Sequence, residues 1–256
     1  MMLFFFLGLA FAISLVGFAC VWAIPAAKSP ETAIGLPFWL LMVWGPSLAA
    51  LIVSSSNGSL ADLLTRAVRL STVPPEVWLL VIAPILMLIL MRPFAPEAAT
   101  PLNVGLLFAM IGFNLVLGPL GEELGWRGIL QDRLSQQIGW LEAAVIVGVI
   151  WLVWHLPLWF IDSPHAQIAL PLFAVHVMLY SIIIGAAYTI SGGSILPAIL
   201  LHLTFNVASN MAVFAGFKDP NAWFSSSIGP YIFLALAACV MVFLRTGQTG
   251  LRWLSF

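Results

Sequence analysis

Two adjacent carboxylates and an arginine lie within a long apolar part of the chain, in the stretch Gly121-Glu122-Glu123-Leu124-Gly125-Trp126-Arg127-Gly128. An ionisable group at membrane depth is costly unless it is paired, so such a group commonly marks a functional site. Glu123 precedes Arg127 by one helical turn, which predicts an ion pair between them. Glu122 projects about 100° away from Glu123 on a helix, and it therefore keeps a carboxylate available for chemistry.

Two histidines in later apolar segments carry polar or aromatic neighbours at helical spacing. His155 follows Trp151 by one turn, and His202 precedes Asn206 by one turn. A single intramembrane histidine usually packs helices together through a hydrogen bond. Three polar groups on three helices can instead satisfy one another by facing across the interior of a bundle. Carboxylates, imidazoles and a carboxamide together supply a general base, proton donors and oxyanion donors, which is a set typical of a hydrolase.

The composition indicates an integral membrane protein, because 62% of the 256 residues are hydrophobic and only 7% are charged. Soluble domains carry roughly 25% charged residues. The nine Lys and Arg residues form no basic run, which argues against nucleic-acid binding. Cys20 and Cys239 lie in apolar runs and are expected to be small buried side chains. We therefore expect one membrane domain over residues 1–256, with the lipid bilayer as its main partner.

The apolar runs predict an all-α polytopic helical bundle with about eight transmembrane helices. The fourth is expected to be one long tilted helix that places Glu122 inside the bilayer. An even number of spans puts both termini on one side, and the excess of basic residues there predicts that both termini are cytoplasmic. The predicted spans are 3–24, 36–53, 77–91, 103 to about 136, 141–161, 168–190, 195–215 and 228–244. The basic residues on the terminus side are Arg66, Arg69, Arg127, Arg133, Arg245 and Arg252, against Lys28, Arg92 and Lys218.

The ordered set Glu-Glu-x-x-x-Arg-Gly-x-Leu, aromatic-x-x-x-His and His-x-x-x-Asn resembles the CPBP family of intramembrane proteases. That family includes the type II CAAX prenyl endopeptidases and the Abi-like bacteriocin-immunity proteins. The resemblance covers roughly residues 117–210 and implies a catalytic core of about 103–215. Trp151 stands where phenylalanine is commonest in the family, and this departure keeps an aromatic ring.

The resemblance implies that Glu122 activates the attacking water while Glu123 and Arg127 hold the site electrostatically. It further implies that His155 assists at the water and that His202 and Asn206 face the scissile carbonyl. The expected function is therefore endopeptidase cleavage of a protein or peptide that is prenylated or otherwise membrane-bound, including CAAX-type processing. The resemblance also implies a bacterial cytoplasmic (inner) membrane location.

The sequence leaves metal dependence open, although the family is conventionally grouped with metalloproteases. Catalytic zinc usually takes three protein ligands and keeps a fourth position for water. His155 and His202 could supply two ligands, and Glu122 or Glu123 would have to supply the third. If Glu122 binds zinc, the water loses its best base; if Glu123 does, Arg127 must share its partner. The alternative is a metal-free site, which the ligand geometry favours.

Two rival functions come from other classes of protein. A bacteriocin-immunity or scaffold protein would keep the same polar residues in a vestigial site. A transporter would use the buried Glu, Arg and His as a proton or substrate path, but no internal repeat or pair of broken half-helices supports it.

Other polar residues have plainer expectations. His176 and Asn114 are expected to make helix-packing hydrogen bonds, and Asn210 to support the site from one turn beyond Asn206. His165, beside Asp162 and Pro164, is expected to be a solvated loop histidine. Three tryptophans near the motifs are candidates for walls of the site, namely Trp126, Trp151 and Trp154.

Overall fold

The computed structural model describes residues 2–248, and all regular secondary structure within this range is helical. This confirms the expected fold class. The principal helices are α1 Met2–Ala23, α2 Gly35–Ser56, α3 Leu60–Val68, α4 Pro75–Met91, α5 Val104–Val116, α6 Pro119–Gly125, α7 Asp132–Ile138, α8 Trp140–His155, α9 Leu170–Ile190, α10 Leu196–Met211 and α11 Pro220–Thr246.

Seven helical segments in the described part of the chain are long and apolar enough to cross a membrane. The remaining predicted span, 195–215, corresponds to α10, which has 16 residues. At 1.5 Å per residue it is about 24 Å long, somewhat less than the roughly 30 Å of a bilayer core. Its Pro197 lies in the first turn, and turns over residues 212–216 follow its end.

The contacts between connecting segments assign the helix ends to two opposite faces of the bundle, and this assignment supports eight crossings. One face, here called the Met2 face, joins residues 57–74 to residues 191–195 and includes the contact of Asn57 with Met2. The opposite face joins residues 95–100 to residues 214–218. Since α10 begins at the Met2 face and ends at the opposite face, it crosses the bundle like the longer helices.

The fourth predicted span is not the single uninterrupted helix that the sequence suggested. The helix is broken at Leu117 and Gly118, where the Gly118 backbone is extended (φ −161°) before Pro119 starts α6. Pro119 has no backbone N–H to continue the hydrogen-bond ladder of α5. A π-helical segment, Trp126–Gln131, then separates α6 from α7. Single π turns recur at functional sites, and this one lies directly after the two glutamates.

Close packing on α2 positions α6. A Cβ atom on Gly125 would lie 2.6 Å from the carbonyl oxygen of Pro46, and one on Gly121 would lie 2.9 Å from that of Val43. Two glycines four residues apart thus let the backbones of α6 and α2 touch, as in other close membrane-helix pairs. The carboxylates between these glycines are held at a fixed depth in the bundle.

Candidate active site

Glu122 is held by the indole N–H groups of two tryptophans. Trp151 Nε1 donates to Glu122 Oε2 at 2.5 Å, and Trp126 Nε1 donates to the same oxygen at 3.2 Å. Trp126 lies one turn after Glu122, whereas Trp151 comes from α8. Glu122 is 4% exposed, so these two donors replace water at one carboxylate oxygen. The tryptophans expected to wall the site therefore also orient its candidate base.

Glu123 joins an arginine and a histidine in a fully buried ionic cluster. Arg127 Nη1 lies 3.1 Å from Glu123 Oε1 and 3.0 Å from Oε2, so the ion pair expected from the spacing is present. His202 Nδ1 lies 2.7 Å from Glu123 Oε1. A carboxylate at Nδ1 favours a proton on that nitrogen and leaves Nε2 to face the site.

Arg127 receives further support from α8 and α9. Its Nη2 donates to Ser181 Oγ at 3.3 Å, and that hydroxyl donates to the carbonyl of Ala144 at 2.7 Å. Its guanidinium carbon lies 5.2 Å from the centroid of the Trp151 ring, within cation–π range. Arg127 therefore connects the acidic pair on α6 to both neighbouring helices.

His155 ends α8 with its ring against Trp151 and Trp154. Its Nδ1 lies 2.8 Å from the Trp151 carbonyl oxygen, so this nitrogen carries the proton in a donating hydrogen bond and Nε2 is left as an acceptor. The Trp154 indole donates to Ser14 Oγ of α1 at 2.8 Å, which fixes the wall behind the imidazole.

His165 is a site neighbour that sequence reasoning missed. Its ring lies 5.8 Å from that of His155, 5.4 Å from that of Phe173 and 6.1 Å from that of Trp159. The expectation of a solvated histidine is correct only in part, because the residue is partly exposed but its Nδ1 atom is buried without a hydrogen-bond partner. Burial lowers the pKa of His165 to about 4. The only local signal was the short Pro- and Trp-containing connection from α8, which folds the chain back over its own helix end.

Asn206 lies against the break between α5 and α6. A Cβ atom on Gly118 would approach Asn206 Nδ2 to 2.9 Å and the Asn114 carbonyl oxygen to 2.7 Å. One turn further along α10, Asn210 Nδ2 donates to Asn114 Oδ1 at 2.7 Å. Asn210 and Asn114 therefore tie α10 to α5 beside Asn206.

His176 behaves as expected for a packing residue. Its Nε2 lies 3.0 Å from Ser227 Oγ, which joins α9 to α11.

The polar residues become more exposed toward the face opposite Met2. On the Met2 side of the carboxylates, Arg127 and Gln131 are fully buried. On the other side, His155 keeps 8% exposure, Asn206 is partly exposed and Asn210 is exposed. The exposure of the polar side chains thus increases from the Met2 side of the glutamates toward the face that carries His165.

The same side chains do not fit a three-ligand metal site. Glu123 uses its oxygens for Arg127 and His202, and Glu122 uses Oε2 for two indoles. Among residues 2–248, no three His, Cys, Asp or Glu side chains are grouped so that they could hold a metal ion. The candidate ligands His155, His202, Glu122 and Glu123 therefore do not form a three-ligand zinc site in this arrangement.

An apolar cavity of about 450 Å³ lies between α1 and the end of α8. It shares a wall with the site, because Trp154 lines the cavity and also contacts the His155 ring at 4.8 Å. Phe11, Leu15, Phe18 and Phe160 are among the other lining residues.

Comparisons with known proteins agree with the motifs. The family model for type II CAAX prenyl endopeptidases, Rce1-like, matches residues 103–208. The predicted family resemblance is confirmed. The CAAX prenyl protease 2 of Methanococcus maripaludis is 32% identical over 126 residues, which cover 45% of this chain and 46% of that protein. The chain therefore matches about half the length of this relative of the CAAX prenyl endopeptidase family.

The segment that matches the CAAX prenyl endopeptidase family contains all six residues singled out from the sequence. They are Glu122, Glu123, Arg127, His155, His202 and Asn206. Four of them contact Trp151 directly, namely Glu122, Arg127, His155 and His202, and Glu123 is linked to it through Arg127. Asn206 follows one turn after His202 on α10. The contacts from α1, α2 and α11 come from outside the matched segment.

Proposed function

We propose that this protein is an intramembrane endopeptidase of the type II CAAX prenyl type, with Glu122 as the general base. One observation carries the proposal above all. Glu122 is a buried carboxylate that accepts hydrogen bonds from two indoles at one oxygen only. Beside it, Glu123 pairs with Arg127 and His202 in a separate ionic cluster. The two glutamates therefore have different partners, and this division suits a base beside an electrostatic support.

The proposed reaction starts with a water molecule bound at Glu122 Oε1, the oxygen that the indoles leave free. The water oxygen attacks the scissile carbonyl carbon while its proton moves to Glu122. Nε2 of His155, left unprotonated by the Nδ1 hydrogen bond to Trp151, accepts a hydrogen bond from the same water. Glu122 then passes the proton to the amine nitrogen as the C–N bond breaks, which gives an acid and an amine.

The negative charge on the carbonyl oxygen requires donors on the other side of the substrate. We place the Asn206 amide there as the donor, because it packs on Gly118, with the His202 ring beside it on the same face of α10. Glu123 orients His202 through Nδ1, and Arg127 balances the charge of Glu123. Donors held in a site that excludes most water stabilise developing charge most strongly.

The proposed substrate is a protein or peptide that carries a lipid. The cavity between α1 and α8 is almost wholly apolar, and its Trp154 wall separates it from His155. A prenyl group in this cavity would bring the attached peptide to the catalytic residues. Its apolar lining would contribute roughly 25 cal/mol for each Å² of lipid surface removed from water.

The lipid part of the proposal can be tested separately from the chemistry. Ala19 lines the cavity, so Ala19→Trp should raise KM for a prenylated peptide and leave cleavage of its unprenylated form unchanged. Val16 lies on the same helix, is 54% exposed and does not line the cavity, so Val16→Trp is the matched control. Equal effects of the two variants would remove the cavity from substrate binding.

We also propose that the protein resides in a bacterial cytoplasmic membrane with both termini in the cytoplasm. The support is the excess of basic residues on the Met2 face. Reporter fusions after Arg252, which lies outside the described residues, and within residues 54–71 should then be cytoplasmic, and one at Lys218 should be external.

The decisive test of the enzyme is cleavage of prenylated and unprenylated peptides by purified protein, analysed by mass spectrometry. Glu122→Gln should reduce the rate by about 10²–10⁴-fold, since it removes a general base. Glu31→Gln, at an exposed carboxylate, should behave like the parent protein. Full activity of the Glu122 variant would refute its role, and no cleavage by the parent protein would favour a scaffold or immunity function.

A further inference from the structure

We propose that α3 lies in the surface layer of the bilayer and positions the π segment, so that lipid contact is linked to the geometry of the carboxylates. The helix connects two membrane-crossing helices, α2 and α4, on the Met2 face. A segment between the ends of two such helices stays at the membrane surface. No span was predicted between residues 53 and 77, but residues 60–68 form a continuous helix.

The side chains of α3 divide into three sectors around its axis. Leu63 points into the protein and is 1% exposed. Leu64 and Val68 share a second sector, about 100–140° away, and are 46% and 73% exposed. Asp62 and Thr65 form a third sector, which is polar and also exposed. Such a helix has one side for the protein, one for the acyl boundary and one for water, as interfacial helices do.

The protein-facing sector of α3 docks on the π segment. The Leu63 side chain fills the space beside Gly128, where a Cβ atom would come within 2.6 Å of Leu63 Cδ1. Arg66 Nη2 donates to the Gly128 carbonyl oxygen at 3.1 Å. The Arg66 carbonyl oxygen in turn accepts from the Ile195 backbone N–H at 2.8 Å, next to the start of α10.

The Arg66 side chain is the centre of this contact. Its Nε lies 2.9 Å from Asp62 Oδ2, and its Nη1 lies 3.1 Å from Tyr188 Oη and 3.5 Å from Asp132 Oδ1. Tyr188 also donates to Asp132 at 2.8 Å. The guanidinium of α3 therefore contacts the π segment at Gly128 and the residue that follows it, Asp132, and it joins both to Tyr188 of α9, a set of contacts here called the clamp.

The clamp acts on the site through the backbone. Gly128 follows Arg127 directly, and Arg127 is the partner of Glu123. A shift of α3 relative to the bundle would move Gly128, then Arg127 and the carboxylate that orients His202. Arg66 is therefore a positioning residue, since it touches none of the reacting groups.

The bilayer contact can be measured without any peptidase assay. In a background with Cys20→Ala and Cys239→Ala, nitroxide labels would be placed at Val68→Cys and, as the matched control, at Thr65→Cys. In vesicles of phosphatidylethanolamine and phosphatidylglycerol, the label at position 68 should be relaxed mainly by oxygen and that at position 65 mainly by a water-soluble nickel complex. Equal access of the nickel complex to both labels would overturn the bilayer contact.

The link to the π segment is tested by hydrogen–deuterium exchange in the same vesicles. Arg66→Met should speed exchange of the amides in residues 126–131, whereas Arg133→Met, at an exposed arginine of α7, should leave it unchanged. Leu64→Ser with Val68→Ser should speed the same amides if lipid contact holds α3 in place. This pair of changes keeps the clamp itself, so it remains informative if the Arg66 variant folds poorly. Unchanged exchange in both variants would overturn the link.

The activity arm rests on the proposed peptidase function, whereas the label and exchange arms do not. A displacement of about 1 Å at a catalytic group can cost roughly 10²-fold in rate. Arg66→Met should therefore lower kcat by about 10–100-fold with KM little changed, and Arg66→Lys should restore part of it. The parent enzyme should lose activity on transfer from vesicles to detergent, and the Arg66→Met enzyme should lose much less. If kcat and KM of the Arg66→Met enzyme fall together, and this variant loses as much activity in detergent as the parent enzyme does, Arg66 has a merely structural role.

Discussion

The buried pair of Glu123 and Arg127 allows a prediction that separates folding from catalysis. Both side chains have no solvent exposure, so Arg127→Met leaves an anion in the bundle with His202, at 2.7 Å, as its remaining partner. Removing one member of a buried pair costs about 3–5 kcal/mol, and the histidine keeps the loss near the lower end of that range. For a chain of this size, about 3 kcal/mol lowers the unfolding temperature by roughly 6–12 °C.

Glu123→Gln should be similarly costly, because it leaves Arg127 with Ser181 and the Trp151 ring alone. The double variant, Glu123→Gln with Arg127→Met, removes both charges and should regain at least about 2 kcal/mol relative to the sum of the single changes. Peptidase activity should stay low in the double variant, since His202 still lacks its carboxylate.

The measurement is recovery of monomer by size-exclusion chromatography after heating each purified variant in detergent. Ser181→Ala serves as the control, since it removes one neutral partner of Arg127 and should cost only about 1 kcal/mol. If the effects of the two single changes add within about 0.5 kcal/mol, the pair is not energetically coupled and the reasoning fails.

Three further predictions concern the helix break, the loop histidine and metal dependence. Gly118→Ala should lower kcat by about 10²-fold in a folded protein, because its Cβ atom would push on Asn206 and the Asn114 carbonyl, whereas Gly112→Ala in open space should be silent. Equal activity of the two variants would contradict it. The pKa of His165 is about 4 in the folded protein, against an ordinary value of 6.5. Between these pH values the imidazole is protonated in the unfolded chain but not in the folded one, so stability falls as the pH drops from 6.5 to 4. His165→Asn should reduce the fall in unfolding temperature between pH 7 and pH 5, and an unchanged fall would refute this. Prolonged chelation should leave activity intact. That expectation would be overturned if active protein contained stoichiometric zinc, if removal of the zinc abolished cleavage, and if its return restored cleavage.

The parts of the molecule that follow from local spacing could be predicted from the sequence. The crossings follow from the length of the apolar runs, and the Glu123–Arg127 pair follows from one turn of helix. The contact of His202 with Glu123 joins residues that are 79 positions apart, so the motifs indicated a shared cavity without giving the bond. The hydrogen bond from the Trp151 indole to Glu122 was also not predicted, because an aromatic residue at that position is expected first to pack against its neighbours.

The irregular parts of the backbone were harder to predict. A continuous apolar run hid the break at Gly118, and the π turn has no residue signature of its own in Trp126–Gln131. The helix α3 was overlooked because nine residues are too short to cross a membrane, although its leucines repeat at helical spacing. His165 was misjudged because the path of its loop depends on contacts with Trp159 and Phe173.

The one-sided burial of the site has a consequence for where substrates come from. Arg127 and Gln131 close the floor on the Met2 face, and His155 and Asn206 approach the opposite face. If the chain is the proposed peptidase, a peptide would reach these residues from the side of the membrane opposite Met2. With Met2 in the cytoplasm that side is external, and with Met2 outside it is cytoplasmic. Under the proposed function, a reporter fused next to Met2 would thus also identify the compartment that supplies the scissile bond.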